Sequence, residues 1–176
     1  MRTIKDLQHQ NKNQELVILE RQDERLYNQI FELENTLSFN SKTALKWFNY
    51  PRFRLYGILR SNRVVGIVAA TQDYSMPYRN ALEESTSIMC TYLSAGYLHP
   101  RGRGSGLFEK FFDSVLEEEK KRGSKEFGAI IREENSPRGE CPSFFKKRGF
   151  EKIGESTVHN GPAIYLSIEG NDESFN

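Results

Sequence analysis

Cysteine and histidine are scarce in this chain of 176 residues, which holds two cysteines and three histidines. Cys90 and Cys141 lie far apart and form no Cys-x-x-Cys pair, so the sequence offers neither a disulfide framework nor the ligand spacing of a zinc site. We therefore expect no metal centre. Because disulfide-free chains are typical of reducing compartments, a cytoplasmic location is expected.

Long apolar runs and an excess of charge of one sign are also missing. The longest apolar stretch, 64–70, is far too short to span a bilayer, and residues 1–14 contain no apolar signal core. With 25 basic and 24 acidic side chains, the net charge is +1, and no global field attracts nucleic acid. We expect neither a nucleic-acid partner nor a membrane partner.

The apolar content is sufficient for one folded domain. Hydrophobic residues make up 37% of the chain and aromatic residues 12%, which suits a domain with a substantial core rather than a disordered chain. The polar ends, 1–13 and 171–176, are predicted to be flexible. The remaining segment, 14–170, is predicted to form a single domain.

Hydrophobic periodicity predicts short, mixed elements. Strands are predicted at 15–20, 52–59, 63–71, 85–98, 126–132, 150–154 and 163–168. Helices are predicted at 23–37, 41–48, 105–122 and 142–148. A hairpin turn is predicted at Ser61-Asn62, and 72–84 is predicted to be a polar loop. This order, β-α-α-β-β-β-α-β-α-β-β, predicts an α/β (α+β) domain with a mostly antiparallel sheet.

A glycine-rich segment, Arg101-Gly102-Arg103-Gly104-Ser105-Gly106, stands between a predicted strand and the strongest predicted helix. Such a turn leaves backbone N–H groups unpaired at the positive end of the helix dipole. Glycines allow positive φ and a close approach of a ligand to the backbone. A phosphate is the natural occupant, and the two arginines add charged donors. A tight turn that binds nothing is the alternative interpretation.

Two other phosphate motifs are excluded at this loop. A Walker loop ends in Gly-Lys followed by Ser or Thr, and no lysine follows the glycines here. A dinucleotide fingerprint requires a third glycine where this chain has Leu107.

The loop resembles the coenzyme A signature of the GCN5-related N-acetyltransferase (GNAT) superfamily. That signature, [Q/R]-x-x-G-x-[G/A] opening a helix, is matched by Arg101, Gly104 and Gly106. A second landmark of the family, Phe-Tyr-x-Lys-x-Gly-Phe, is similar to 144–150, except that Phe145 replaces the tyrosine that acts as general acid in many members. The order of elements is similar over roughly 15–169.

The resemblance implies a GNAT-like mixed, mostly antiparallel central sheet of about seven strands flanked by about four helices. It also implies an acyl-CoA-dependent N-acyltransferase that moves an acetyl group from acetyl-CoA directly to a primary amine. The backbone of 103–106 would hold the pyrophosphate and that of Tyr97 and Leu98 the pantetheine arm. The full set of implied coenzyme-binding residues is Tyr97, Leu98, Arg101, Gly102, Arg103, Gly104, Ser105, Gly106, Asn135 and Phe144.

The catalytic groups are indicated only weakly. An aliphatic amine is mostly protonated at neutral pH and must lose a proton before it attacks. Glu134 is predicted to be the base, although a solvated surface carboxylate is the plainer interpretation. Tyr92 and Tyr97 are candidate acids, but they are expected on opposite faces of their strand, so at most one points into the site. Phe145 cannot donate a proton.

Two alternatives stay open on the sequence alone. Because Phe145 lacks a hydroxyl, the same fold could be a non-catalytic acyl-CoA-binding sensor or scaffold. Extra residues at 136–140 could instead enlarge the acyl pocket for a longer chain. The acceptor is expected to be an amine-bearing small molecule or protein. A homodimer is common in the family, but no sequence feature decides the oligomeric state.

Overall fold

The computed structural model of the chain describes residues 1–9, 12–26, 46–131, 140–157 and 163–167. In these ranges the strands form a mixed, mostly antiparallel sheet, so the predicted α+β class is confirmed. The strands are β1 Arg2–His9, β2 Lys12–Leu19, β3 Phe53–Arg60, β4 Arg63–Arg79, β5 Ser85–Leu98, β6 Phe127–Ile131, β7 Phe150–Ser156 and β8 Ala163–Ser167. The helices with complete bounds are α1 Leu107–Lys121 and α2 Glu140–Lys146.

The predicted helices at 23–37 and 41–48 lie largely outside the described residues, although 24–26 and 46–47 are helical. The predicted flexible tail, 171–176, also lies outside them. None of the helices within the described ranges is long and apolar enough to cross a membrane.

Two compact units make up the chain. The first contains Met1–Thr71 and Ser94–Gly123, and the second contains Gln72–Leu93 and Ser124–Asn176. The long strands β4 and β5 therefore contribute residues to both units.

In the first unit the strand order is β1-β2-β3-β4-β5. The predicted hairpin between β3 and β4 is confirmed: Arg60 pairs with Arg63 across Ser61 and Asn62, whose φ angles are 51° and 57°. A two-residue turn with positive φ at both positions matches the right-handed twist of the flanking strands.

Strand β1 corrects the prediction of a flexible N-terminus. Residues 2–9 pair antiparallel with β2, and His9 lies opposite Lys12. The sequence gave no strong apolar alternation here, because β1 lies at one end of the strand order and needs to pack little apolar surface.

One face of the first unit carries a buried cluster from β2, β3, β4 and β5. Its members are Val17, Leu19, Leu55, Leu59, Val64, Ile67, Ala69 and Tyr97. Helix α1 forms as predicted because its apolar side chains recur at helical spacing, and Leu107, Phe111, Phe112 and Val115 are all buried.

Helix α1 is tied to β3 by a buried charge. The carboxylate of Glu119 is fully buried and accepts hydrogen bonds at 2.6 Å from both Nε and Nη2 of Arg54. Tyr56 donates its hydroxyl to the same carboxylate at 2.7 Å. A buried charge of this kind is tolerated only when it is paired and hydrogen-bonded, so the three side chains depend on one another.

Strand β4 corrects the predicted loop over 72–84. The strand continues to Arg79, and the turn occupies only the residues before β5. Tyr74, Met76 and Tyr78 alternate with polar residues and pack in the cluster of the second unit, which outweighs the turn signal of Pro77. Asp73, with φ 51°, marks an irregular point in the strand.

In the second unit β5 and β6 run parallel, while β8 pairs antiparallel with both β6 and β7. Strand β7 also pairs with the end of β4, at Tyr78↔Ser156. The strands approach closely there, since a Cβ added at Gly154 would fall on the carbonyl oxygen of Arg79. Met76, Cys90, Ile164 and Leu166 form the buried cluster of this unit.

Cys90 is expected to be unreactive in the folded protein. Its side chain lies in this cluster and is 5% exposed; burial, with the nearby charge of Glu126, raises the pKa of Cys90 to about 12. Since the thiolate is the nucleophile, only about one thiol in ten thousand is ionised near pH 8. In a Cys141→Ser variant, we expect a thiol reagent to label the native protein at least about 1,000-fold more slowly than the unfolded protein. Equal labelling rates would contradict the burial.

Candidate functional site

The glycine-rich loop begins with a 3₁₀ turn, Pro100–Gly102, directly after β5. Within it the N–H of Gly102 donates to the carbonyl of His99 at 2.8 Å, and the N–H of Arg103 donates to the carbonyl of Pro100 at 3.1 Å. The hydroxyl of Ser105 donates to the carbonyl of Gly102 at 2.8 Å. These bonds use the first donors of the loop to hold its own shape.

The second half of the loop presents its donors. Gly104 and Gly106 have φ angles of 75° and 68°, a region that glycine adopts without strain. Gly106 is the N-cap of α1, no side chain caps the helix, and the first intrahelical bond runs from Lys110 to Gly106. Within the described chain, no acceptor is bonded to the backbone N–H groups of residues 104–107. Their number and position at a helix N-terminus suit an anion.

The space beside this half of the loop is open. A Cβ added at Gly104 would meet no atom within 4 Å, so the backbone is accessible to a ligand at that point. The predicted anion loop therefore exists as a strand-turn-helix junction, with its donors displaced by one residue relative to the prediction of 103–106.

Arg103 fastens the loop to β5. Its Nε donates to the carbonyl of Leu98 at 3.1 Å, and its guanidinium carbon lies 5.5 Å from the ring centroid of Tyr97. Because the backbone N–H of Arg103 is also used within the turn, this residue positions the loop rather than offering its main chain to a ligand. Arg101 lies in the 3₁₀ turn itself.

The two candidate tyrosine acids lie in different clusters, as expected from their opposite faces. Tyr97 is 7% exposed in the core of the first unit. Tyr92 belongs to the second unit and stacks on Tyr74 with ring centroids 4.7 Å apart. Burial, followed by the proximity of Tyr74, raises the pKa of Tyr92. Both side chains have the packing of core residues, and a role as acid stays a prediction.

Among the other predicted residues, Glu134 and Asn135 lie outside the described residues. Phe144 lies on α2, where the guanidinium carbon of Arg148 sits 3.9 Å from its ring centroid. Phe145 packs edge-on against Phe150 with ring centroids 5.1 Å apart. The family's tyrosine position is thus filled by an aromatic ring that serves packing.

One polar group near the loop was missed by the sequence analysis. The hydroxyl oxygen of Ser94, on β5, is buried and has no hydrogen-bond partner among the described residues. No local pattern signals this, because a serine in a strand is ordinary and only its surroundings make it unusual.

Comparison with known proteins places this geometry in a fold family. No protein-family profile and no curated protein match the chain. Solved structures do. The ribosomal-protein-S18-alanine N-acetyltransferase from Escherichia coli matches with a TM-score of 0.63 and 14% identity, over 92% of this chain and 99% of that chain. The PaiA N-acetyltransferase from Thermoplasma acidophilum, in complex with coenzyme A, gives 0.60 and 13%, over 88% and 98%.

An acetyltransferase of the GNAT family from Staphylococcus aureus matches with a TM-score of 0.60 and 12% identity, over 87% of this chain and 97% of that chain. At such identities the likeness concerns the fold. The chain has the fold of the GNAT acetyltransferases, and the resemblance noted from Arg101, Gly104 and Gly106 is confirmed at that level.

Proposed function

We propose that the chain is an acyl-CoA-dependent N-acetyltransferase that moves an acetyl group from acetyl-CoA to a primary amine. The observation that carries this proposal is the loop at the start of α1. It offers successive backbone N–H groups at 104–107, which have no acceptor within the described chain, next to open space at Gly104. A diphosphate is the ligand that such a group of donors binds best.

The residues present fit coenzyme A. The diphosphate would accept hydrogen bonds from residues 104–107, and Arg103 would keep the loop against β5 through its bond to Leu98. The pantetheine arm would lie beside the end of β5. The fold supports this assignment, since the PaiA enzyme that it resembles was solved with coenzyme A.

The amine acceptor must reach the acyl group as a neutral nucleophile, so a proton has to leave it first. Glu134 is our proposed base, acting directly or through water. Phe145 cannot protonate the departing thiolate, so we propose that solvent supplies that proton. Soluble proteins and small amines are both proposed as acceptors, and the Escherichia coli enzyme that acts on ribosomal protein S18 is an example of a protein acceptor within this fold.

Calorimetry with coenzyme A and acetyl-CoA tests the binding, and thioester consumption with a panel of amines tests the transfer. We expect saturable binding of both coenzymes and release of free thiol with at least one amine. Binding without turnover on any amine would favour the non-catalytic sensor. Faster turnover with a succinyl or longer acyl-CoA would favour the transferase of a longer chain. No binding of any acyl-CoA would overturn the proposal.

A further inference from the structure

Ser94 is unusual among the polar residues of the first unit. Its Oγ is one of two buried side-chain oxygen or nitrogen atoms in the described chain without a partner; the other is Oε1 of Gln14 on β2. Buried hydroxyls are almost always hydrogen-bonded, because losing water without a replacement is unfavourable. Such a group in the same unit as the loop invites a ligand as its missing partner.

Ser94 is connected to the loop by an open strip of β5. Alternate residues share one face of a strand, so Ser94, Gly96 and Leu98 point to the same side, opposite Tyr97. Gly96 is exposed and has no side chain, and a Cβ there would lie 3.0 Å from Cζ of Phe108. The strip is therefore bare backbone bordered by the first turn of α1.

The length of this strip matches the pantetheine arm. From Leu98 to Ser94 β5 advances four residues, or roughly 13 Å. Between the diphosphate and the sulfur, the arm has about twelve chain atoms, the same as about four residues of extended backbone. An arm that starts at the loop and lies along β5 thus brings its thioester to Ser94.

We propose that the Ser94 hydroxyl donates a hydrogen bond to the carbonyl oxygen of the bound acyl thioester; this inference rests on the proposed function. Ser94 as a residue is only half-buried, so a rotation about χ1 turns its hydroxyl toward Gly96.

The hydrogen bond strengthens during transfer. The amine nitrogen bonds to the carbonyl carbon, negative charge grows on the carbonyl oxygen, and the bond to sulfur then breaks. The amine proton passes to the base or to water, and the thiolate takes a proton from solvent. A donor fixed at that oxygen stabilises the charge that develops there.

Comparing coenzyme A with acetyl-CoA isolates this contact, because only the acetyl form carries the carbonyl. For the wild type we expect acetyl-CoA to bind about 3- to 10-fold more tightly than coenzyme A, and for Ser94→Ala we expect that difference to disappear while the affinity for coenzyme A is kept. With an amine that the wild type accepts, kcat of Ser94→Ala is expected to fall about 100-fold.

Ser114→Ala is the matched control. Ser114 is also a buried serine of the first unit, but its hydroxyl is already bonded to the carbonyl of Lys110 within α1 at 2.8 Å. It should keep the preference for acetyl-CoA. Ser94→Thr retains a hydroxyl and should preserve much of that preference.

Carbon-13 NMR of acetyl-CoA labelled at the carbonyl gives a direct readout. The bound resonance should shift downfield in the wild type and in Ser114→Ala, but not in Ser94→Ala. A Ser94→Ala protein that keeps both the preference and the shift would overturn this inference while leaving the proposed function intact. A wild type that binds neither coenzyme would overturn both.

Discussion

Replacing Glu119 by alanine is expected to lower the free energy of unfolding by about 3–5 kcal/mol, because the change leaves the Arg54 guanidinium buried without its counter-charge. The Arg54 side chain is only 15% exposed, and it loses both hydrogen bonds of 2.6 Å. Tyr56 also loses the acceptor of its hydroxyl. In a thermal melt this loss corresponds to a decrease in Tm of roughly 6–20 °C.

Glu118→Ala is the control for this variant. Glu118 is the preceding residue of α1 and pairs with Arg122 at 2.7 Å on the helix surface. A pair of this kind contributes about 0.3–0.5 kcal/mol, so the Tm should hardly change. Removing both charges together, in Arg54→Met with Glu119→Gln, should cost less than Glu119→Ala alone. Equal effects of Glu118→Ala and Glu119→Ala would show that the buried pair is not what joins α1 to β3.

Gly104→Ala is expected to weaken the binding of coenzyme A by about 10- to 100-fold. Alanine resists the φ of 75° at a cost of about 1 kcal/mol, so the N–H groups of the loop lose their common direction. The added methyl group also projects into the open space where the diphosphate would lie. Calorimetry with coenzyme A measures the effect, and pantetheine without its phosphates should bind both proteins equally.

Gly123→Ala separates binding from backbone strain. Gly123 follows the other end of α1, has a φ of 93°, and would also meet no atom within 4 Å if it carried a Cβ. Its replacement should lower Tm about as much as Gly104→Ala but leave the affinity for coenzyme A unchanged. If the two variants bind coenzyme A equally well, the diphosphate is held somewhere other than this loop.

The parts of the fold that follow local rules could be predicted from the sequence. Helix α1 was predicted because Leu107, Phe111 and Val115 recur on one face, and the β3–β4 turn because Ser61-Asn62 separates two apolar runs. The extension of β4 was missed, since Pro77 signals a turn and only the burial of Met76 against other strands shows otherwise.

The candidate site divides in the same way. The anion loop was predictable from Gly104 and Gly106, whose spacing before a helix has a direct physical meaning. The engagement of the Arg103 N–H was not, because it depends on a 3₁₀ turn that Pro100 opens. The missing partner of Ser94 was not predictable either, since burial of one oxygen atom is a property of its neighbours in space.

The crossing of β7 over the end of β4 limits how this protein can be engineered. Because a side chain at position 154 would overlap the main chain of Arg79 rather than a movable side chain, repacking cannot accommodate it. Directed-evolution libraries aimed at a new acceptor should therefore leave the Gly154 codon untouched and place their diversity elsewhere.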